Sequence, residues 1–463
     1  MDTPTTGRLL QWGLFSVFAA ILFLGCNASP EQTKGYLNGT ITVKSSIDPS
    51  GDYSNFRVLV VDANERDIDT LGYATTNRDG RFQTTVTAPE RGIYTLMVWG
   101  RQGRQRLAST DYVLADGDSA TVEATLPLGN RRLRVRSTEN AALAGYRNTL
   151  AQHRASLVEG LQSDPSDSNA MAHRVRQTSS MLWNLQETFP GAYASELAAT
   201  ESLALLAGWN DSLVVERSRT IEPSNPRYVE AAQISRRATA RLNGQDAALA
   251  VIDRFEQRAQ SNAQRAGVQA ARVRTFIDSL QSDAALSAAQ DLRNAYPDSE
   301  WAEWAERATY EVKNLLPGKD APTFSAKTLS GDSLSLGALE GRPVLLEYFA
   351  PGDQLYGRQL STRNALYKAT RPDSVAFVSV SVDPDTLLYR ALLDNRSLPG
   401  HNVIAPEGKD DAIVQAYNVT VTPTRFLIGA DGRIIGRYQG TAFLALQEDL
   451  NRILDGGASS NQN

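Results

Sequence analysis

The chain has 463 residues, 41% hydrophobic and 21% charged, an ordinary globular balance with room for about two to four domains. A formal net charge of −5, with no Lys/Arg cluster, speaks against a nucleic-acid partner. One cysteine, Cys26, excludes any intrachain disulfide, so packed cores must supply the stability.

Residues 1–25 read as an export signal: Arg8 precedes an apolar stretch from Leu9 to Gly25, broken only by Gln11, Gly13 and Ser16. The stretch closes on Leu22-Phe23-Leu24-Gly25-Cys26, which resembles a bacterial lipobox. That resemblance implies a diacylglyceryl group on Cys26, which becomes the mature N-terminus. Phe23 and Leu24 depart from the usual pattern of leucine followed by small residues, and the competing reading is an uncleaved transmembrane helix. Each buried methylene contributes about 0.8 kcal/mol, so two or three acyl chains hold a protein at a membrane almost permanently. Residues 26–37 read as a polar linker. Asn27 stands where an aspartate would mark inner-membrane retention in some bacteria, which favours the periplasmic face of the outer membrane.

From 38 to 128, apolar and polar residues alternate between turn signals, as in Thr40–Val43, Phe56–Val61, Phe82–Val86 and Tyr94–Val98. The Asp79-Gly80 turn feeding Phe82, followed by Gly92-Ile93-Tyr94, resembles carboxypeptidase-regulatory-like modules. The resemblance implies an antiparallel β-sandwich serving as spacer or docking module. From 137 to 316 the composition turns rich in Ala, Leu, Gln, Arg and Glu, with apolar residues three and four apart, as in Leu249-Ile252-Phe255. Pro165, Pro190, Pro223, Pro226 and Pro297 mark helix ends. Asp246–Leu249 recurs as Asp283–Leu286, and with the Tyr296-Pro297-Asp298-Ser299 turn this resembles tetratricopeptide-type hairpins. Such an array is either a concave partner-binding surface or a helical spacer.

Residues 317–455 carry the densest set of motifs. Pro317–Phe324, then Gly331–Leu336, then Gly341–Ala350, then a strand from Val375 to Val382 ending on Asp383, follow one another in order. Tyr417-Asn418-Val419, Thr422-Pro423 through Ile428, and Asp431-Gly432-Arg433 complete the series. Together they resemble redoxin domains of the TlpA-like and AhpC/TSA type, which implies an α/β thioredoxin-like fold. Residues 456–463 read as a flexible tail. The predicted architecture is thus multidomain α+β: β-sandwich, helical hairpins, thioredoxin-like domain.

In that family two cysteines sit where the first core strand runs into a helix, whose N-terminus lowers the first thiol's pKa. Aligned from Glu347-Tyr348-Phe349-Ala350, the two positions fall on Asp353 and Tyr356; a peroxiredoxin alignment puts the reactive position near Arg358. None of the three can carry sulfur chemistry. Asp353 is predicted to cap the helix, Tyr356 to pack as a ring, and Arg358 to pair with Asp353 or remain solvated. Glu347 matches the family's buried acid, and desolvation is expected to raise its pKa. Thr422-Pro423 matches the cis-proline loop, whose backbone pairs with extended peptides in the family. The histidines, His153, His173 and His401, are far apart in sequence, no metal-ligand spacing or phosphate loop stands out, and Asp383-Pro384-Asp385 reads as a strand-exit turn. The sequence implies no cofactor and no metal. It predicts a membrane-tethered envelope protein with a protein or peptide partner and a redox-inactive thioredoxin-like domain. A thiol-disulfide oxidoreductase of the TlpA class and a structural spacer are the rival readings.

Overall fold

The computed structural model describes residues 32–63, 68–129, 133–163, 167–370 and 374–460; Cys26, Asn27 and the apolar segment before them lie outside the described residues, as does the end of the expected tail. Among the described residues no helix is long and apolar enough to cross a membrane. The chain divides into two compact units, Met1–Gly145 with Ala192–Ala194, and Tyr146–Gly191 with Ser195–Asn463.

The first unit holds β1 (Thr33–Val43), β2 (Arg57–Ala63), β3 (Ile68–Thr75), β4 (Arg81–Ala88), β5 (Gly92–Trp99), β6 (Arg106–Leu114), β7 (Ser119–Leu126) and β8 (Val135–Arg136). They form two four-stranded sheets, ordered β4-β1-β7-β8 and β3-β2-β5-β6. Alternation along β5 and β7 turns every second side chain inward. Leu37, Ile41 and Val122 from one sheet share a core with Val58, Val60, Leu96 and Val98 from the other. Gly80 ends the predicted turn at φ 78°, and a Cβ there would meet the Ile41 carbonyl oxygen at 2.1 Å, so only glycine fits. Two expectations need correction. The stretch read as linker is already strand from Thr33, because Gly35 and Leu37 alternate inward. The pairing is also not wholly antiparallel: β1 lies between β4 and β7, antiparallel to the former and parallel to the latter.

Helices follow: α1 (Thr138–Ser163), α2 (Ser168–Trp183), α3 (Leu185–Thr188), α4 (Tyr193–Leu206), α5 (Asp211–Ser218), α6 (Tyr228–Asn243), α7 (Gln245–Arg258), α8 (Asn262–Asp278), α9 (Ser282–Ala295) and α10 (Glu300–Asn314). Sequence neighbours pack on each other from α5 to α10. Side-chain caps at Asp167, Asn210 and Ser261 start α2, α5 and α8. Leu203, Tyr228, Ile252 and Phe255 fill one core of the array, and Val273, Ala289, Leu292 and Ala305 the next.

After α10 come the hairpin strands β9 (Ser325–Lys327) and β10 (Ser333–Ser335), then β11 (Val344–Phe349), α11 (Gln354–Ala369), β12 (Ala376–Ser381), α12 (Thr386–Asn395), β13 (His401–Ile404), α13 (Ala412–Ala416), β14 (Thr424–Ile428), β15 (Ile434–Gln439) and α14 (Phe443–Ser460). The five-stranded sheet runs β13-β12-β11-β14-β15. β11, β12 and β13 are parallel, whereas β14 and β15 pair antiparallel. All six residues of β11 and of β12 are buried, the mark of strands covered on both faces. Leu346, Tyr348, Val378 and Phe426 form the core on one face; Leu345, Phe377, Leu427 and Leu446 form it on the other. Period-two alternation puts Glu347 on the second face, between Leu345 and Phe349.

The helical array and this sheet belong to the same unit and meet through polar contacts. Glu311 of α10 accepts from Arg274 of α8 at 2.8 Å and pairs with Arg437 of β15 at 3.1 Å. The Tyr310 hydroxyl donates to the Ala416 carbonyl at 2.9 Å, and Asn418 Nδ2 to the Arg307 carbonyl at 3.1 Å.

Candidate functional site

The loop Ala350-Pro351-Gly352 carries the chain from the central strand β11 into α11. Asp353 is the N-cap of that helix: its Oδ1 accepts from the Leu355 amide at 2.8 Å and the Tyr356 amide at 3.3 Å. Those amides are among the donors a helix start leaves open, and a carboxylate there also opposes the helix dipole. Asp353→Ala is expected to cost about 1 kcal/mol of stability, read as a shift in the urea midpoint.

Tyr356, one turn in, is 1% exposed and stacks on Phe349 with centroids 4.2 Å apart. Burial, joined by the Glu347 carboxylate, pushes its phenol well above the ordinary tyrosine range, so it is neutral at physiological pH. Its hydroxyl has no hydrogen-bond partner among the described residues. Arg358 is exposed and makes no ion pair with Asp353; of the two sequence readings, only the solvated one fits. Asp353 and Arg358 instead border an open groove of about 540 Å³, closed on its other side by Leu388 and Leu392 of α12.

Glu347 is the centre of a buried ionic cluster. Its Oε1 accepts from Arg363 Nε at 2.8 Å and Ser379 Oγ at 2.7 Å, and its Oε2 from Arg425 Nε at 3.3 Å. The side chains of Glu347, Arg363 and Arg425 are 0%, 0% and 1% exposed. Burial pushes the carboxyl pKa up, but Arg363, Arg425 and the Ser379 hydrogen bond more than offset it and leave the group below its usual value. The rise expected from desolvation is therefore overturned by two guanidinium groups. Sheet register explains the assembly: Ser379, Glu347 and Arg425 sit opposite one another across β12, β11 and β14. Arg363 comes from α11 and also donates to the Pro399 carbonyl at 2.6 Å.

Arg425 joins the site's parts. It lies two residues beyond Pro423, in the cis-peptide Thr422-Pro423. Its guanidinium packs 5.6 Å from the Tyr356 ring centroid and 4.7 Å from that of Phe443, and Nη1 donates to Gln359 at 3.0 Å. Nη2 has no partner among the described residues. The cluster carries one carboxylate against two guanidinium groups, an excess of one positive charge in a desolvated space.

The loop before Pro423 is open. Thr420 and Val421 are exposed, Val421 by 50%, and the amides of Thr420, Val421 and Thr422 donate to nothing among the described residues. The remaining sequence candidates lie in separate elements. His153 of α1 is buried against Thr178 at 2.8 Å, His173 lies in α2 and His401 in β13. Asp385 caps α12 through the amides of Leu387 and Leu388. Among the described residues no group of three or more His, Cys, Asp or Glu is arranged to hold a metal ion.

Sequence reasoning missed Arg363, Ser379 and Arg425. A signal was present: each of these buried, mainly apolar strands carries a polar residue, and Ser379, Glu347 and Arg425 fall in register across them, beside Ser381 in β12 and Thr424 in β14.

A central strand with parallel partners on one side and antiparallel ones on the other, a capped helix leaving it, and a cis-proline ahead of the next strand define a thioredoxin-like domain. The sequence comparisons agree. The chain is 31% identical over 143 residues to the thioredoxin-like protein YneN of Bacillus subtilis, covering 30% of this chain and 81% of that protein. It is 23% identical over 148 residues to the thiol-disulfide oxidoreductase ResA of the same organism, covering 32% and 81%. A solved thiol-disulfide oxidoreductase from Bacteroides fragilis aligns with 28% of this chain and 99% of its own at 24% identity, with a TM-score of 0.26. No family model matches the chain. Over about 30% of its length the chain belongs to the thioredoxin-like family, with homology to ResA-type thiol-disulfide oxidoreductases.

Proposed function

We propose that this is a lipid-anchored envelope protein whose thioredoxin-like domain binds an extended polypeptide without redox chemistry. The observation that carries the reading is the occupancy of the two reactive positions. Asp353 uses the helix-start amides a thiolate would need, and Tyr356 fills the second position with a buried ring. The one cysteine in the sequence, Cys26, precedes the domain. Pairing with an extended chain needs backbone groups rather than sulfur, and the amides of Thr420, Val421 and Thr422 donate to nothing among the described residues. The sandwich and the helical array would then serve as spacer and as partner-facing surface, with the tether on Cys26 holding the body to the outer membrane.

In a reductant-coupled insulin assay the purified chain is expected to give no turnover above the reductant alone. Turnover that persists in Cys26→Ser would instead establish the oxidoreductase activity that the ResA homology favours. The tether has its own test: labelled palmitate should enter the chain in cells and be lost in Cys26→Ser, and equal labelling of both would remove the lipoprotein reading.

A further inference from the structure

We propose that a small pocket between the helical array and the cis-proline loop binds a carboxylate of the extended polypeptide, an acidic side chain or a C-terminus. The inference deepens the peptide-binding reading and rests on it.

The pocket has a volume of about 180 Å³ and is walled by α8 and α10 on one side and by the Asn418–Val421 loop and β15 on the other. Its charges do not balance. Arg274, Arg307 and Arg437 face a single carboxylate, Glu311, which leaves two guanidinium charges in excess. Glu311 is held by Arg274 at 2.8 and 3.3 Å and by Arg437 at 3.1 Å. Arg437 spends Nη2 on the Asn418 carbonyl at 2.9 Å, while its Nε is buried without a partner among the described residues. Arg307 is exposed and makes no ion pair among the described residues. Trp304 forms an apolar wall under Arg274, whose Cζ lies 5.6 Å from the ring centroid.

Position selects the ligand. Thr420 and Val421 line the pocket and carry the unpaired amides described above, so a strand added along that loop would run past its mouth. A small anion-seeking site at the end of a backbone-pairing edge fits a carboxylate on the same chain. Arginine suits that role because its planar fork meets two carboxylate oxygens at once. The helical array thus supplies a specificity element that the sheet alone lacks.

The test uses the full chain and short labelled peptides that differ at one central position, glutamate or glutamine, each made with a free and an amidated C-terminus. Fluorescence anisotropy should show about tenfold tighter binding for peptides carrying the preferred carboxylate, with the gap narrowing as salt rises. The four peptides separate a side-chain carboxylate from a terminal one. Arg307→Gln, an exposed substitution, should bring the acidic peptide to the level of its neutral counterpart. Equal affinity for all four peptides, or an acid preference that survives Arg307→Gln, would overturn the carboxylate pocket and leave peptide binding standing. Failure of every peptide to bind would remove the underlying reading and the pocket with it.

Discussion

Glu347→Gln is expected to lower the unfolding free energy by about 3–5 kcal/mol, the cost of taking one partner out of a buried ion pair. The amide keeps the shape and one acceptor, but it leaves the guanidinium groups of Arg363 and Arg425 with no countercharge at 0% and 1% exposure. Urea unfolding of the full chain should show the loss as a lower midpoint at unchanged slope. The decisive companion is the triple variant Glu347→Met, Arg363→Leu, Arg425→Leu. Apolar replacement of a whole buried ionic cluster is often neutral or stabilising, so this variant should regain most of what Glu347→Gln loses. If the single variant loses less than about 1 kcal/mol, the two guanidinium groups are not held by Glu347 in the way the geometry indicates.

The same cluster sets an acid limb. Because Arg363 and Arg425 hold the Glu347 pKa below its ordinary value of 4.5, the carboxylate contributes its full stabilisation above that value. The contribution is lost as pH falls below 4.5 and through the lower folded value. Stability measured against pH should therefore be level through the neutral range with respect to this group and decline in acid. Glu347→Gln should flatten that decline. A raised pKa would give the reverse, with stability lost as pH rises above 4.5 and up to the raised folded value.

What could be read from the sequence and what could not divides along a physical line. Strands β11 and β12 were legible because both of their faces are covered, which writes them as unbroken apolar runs. A carboxylate at a strand-to-helix turn is a local signal, and a hydrogen bond two residues on realises it at Asp353. The charge state of Glu347 was not local. Arg363 is 16 residues away along a helix and Arg425 is 78 residues away on another strand. Reasoning from burial alone therefore had the desolvation without its compensation. The meeting of α10 with β15 was hidden for the same reason, since neither Glu311 nor Arg437 looks unusual on its own element. The first half of β1 escaped recognition because Thr33-Lys34-Gly35-Tyr36 is polar and short of aliphatic residues, whereas Thr40–Val43 was legible; pairing with β4 begins at Thr33.

Asp353→Cys with Tyr356→Cys should let this domain, which holds no cysteine of its own, reduce insulin with an added reductant. The first new thiol would inherit the amides of Leu355 and Tyr356 that Asp353 now occupies, at 2.8 and 3.3 Å. A helix N-terminus favours the thiolate, so its pKa should fall below the ordinary value of about 8.5. The second thiol would stand where the Tyr356 ring now faces Arg425, whose unpaired Nη2 offers a further donor to a thiolate. The cost is the buried ring and its stacking on Phe349, about 3 kcal/mol of stability by analogy with large-to-small core changes. Circular dichroism must therefore show the variant folded at the assay temperature. In the Cys26→Ser background, thiol titration should then find two groups under reduction and none after oxidation, without cross-linked dimers. A folded double variant whose thiols stay separate and inert would mean that residues 353 and 356 do not share the geometry of a dithiol, and the alignment on Glu347 would have to be abandoned. A reactive pair would instead show that the scaffold kept its competence while two side chains, a cap and a ring, took the place of the sulfurs.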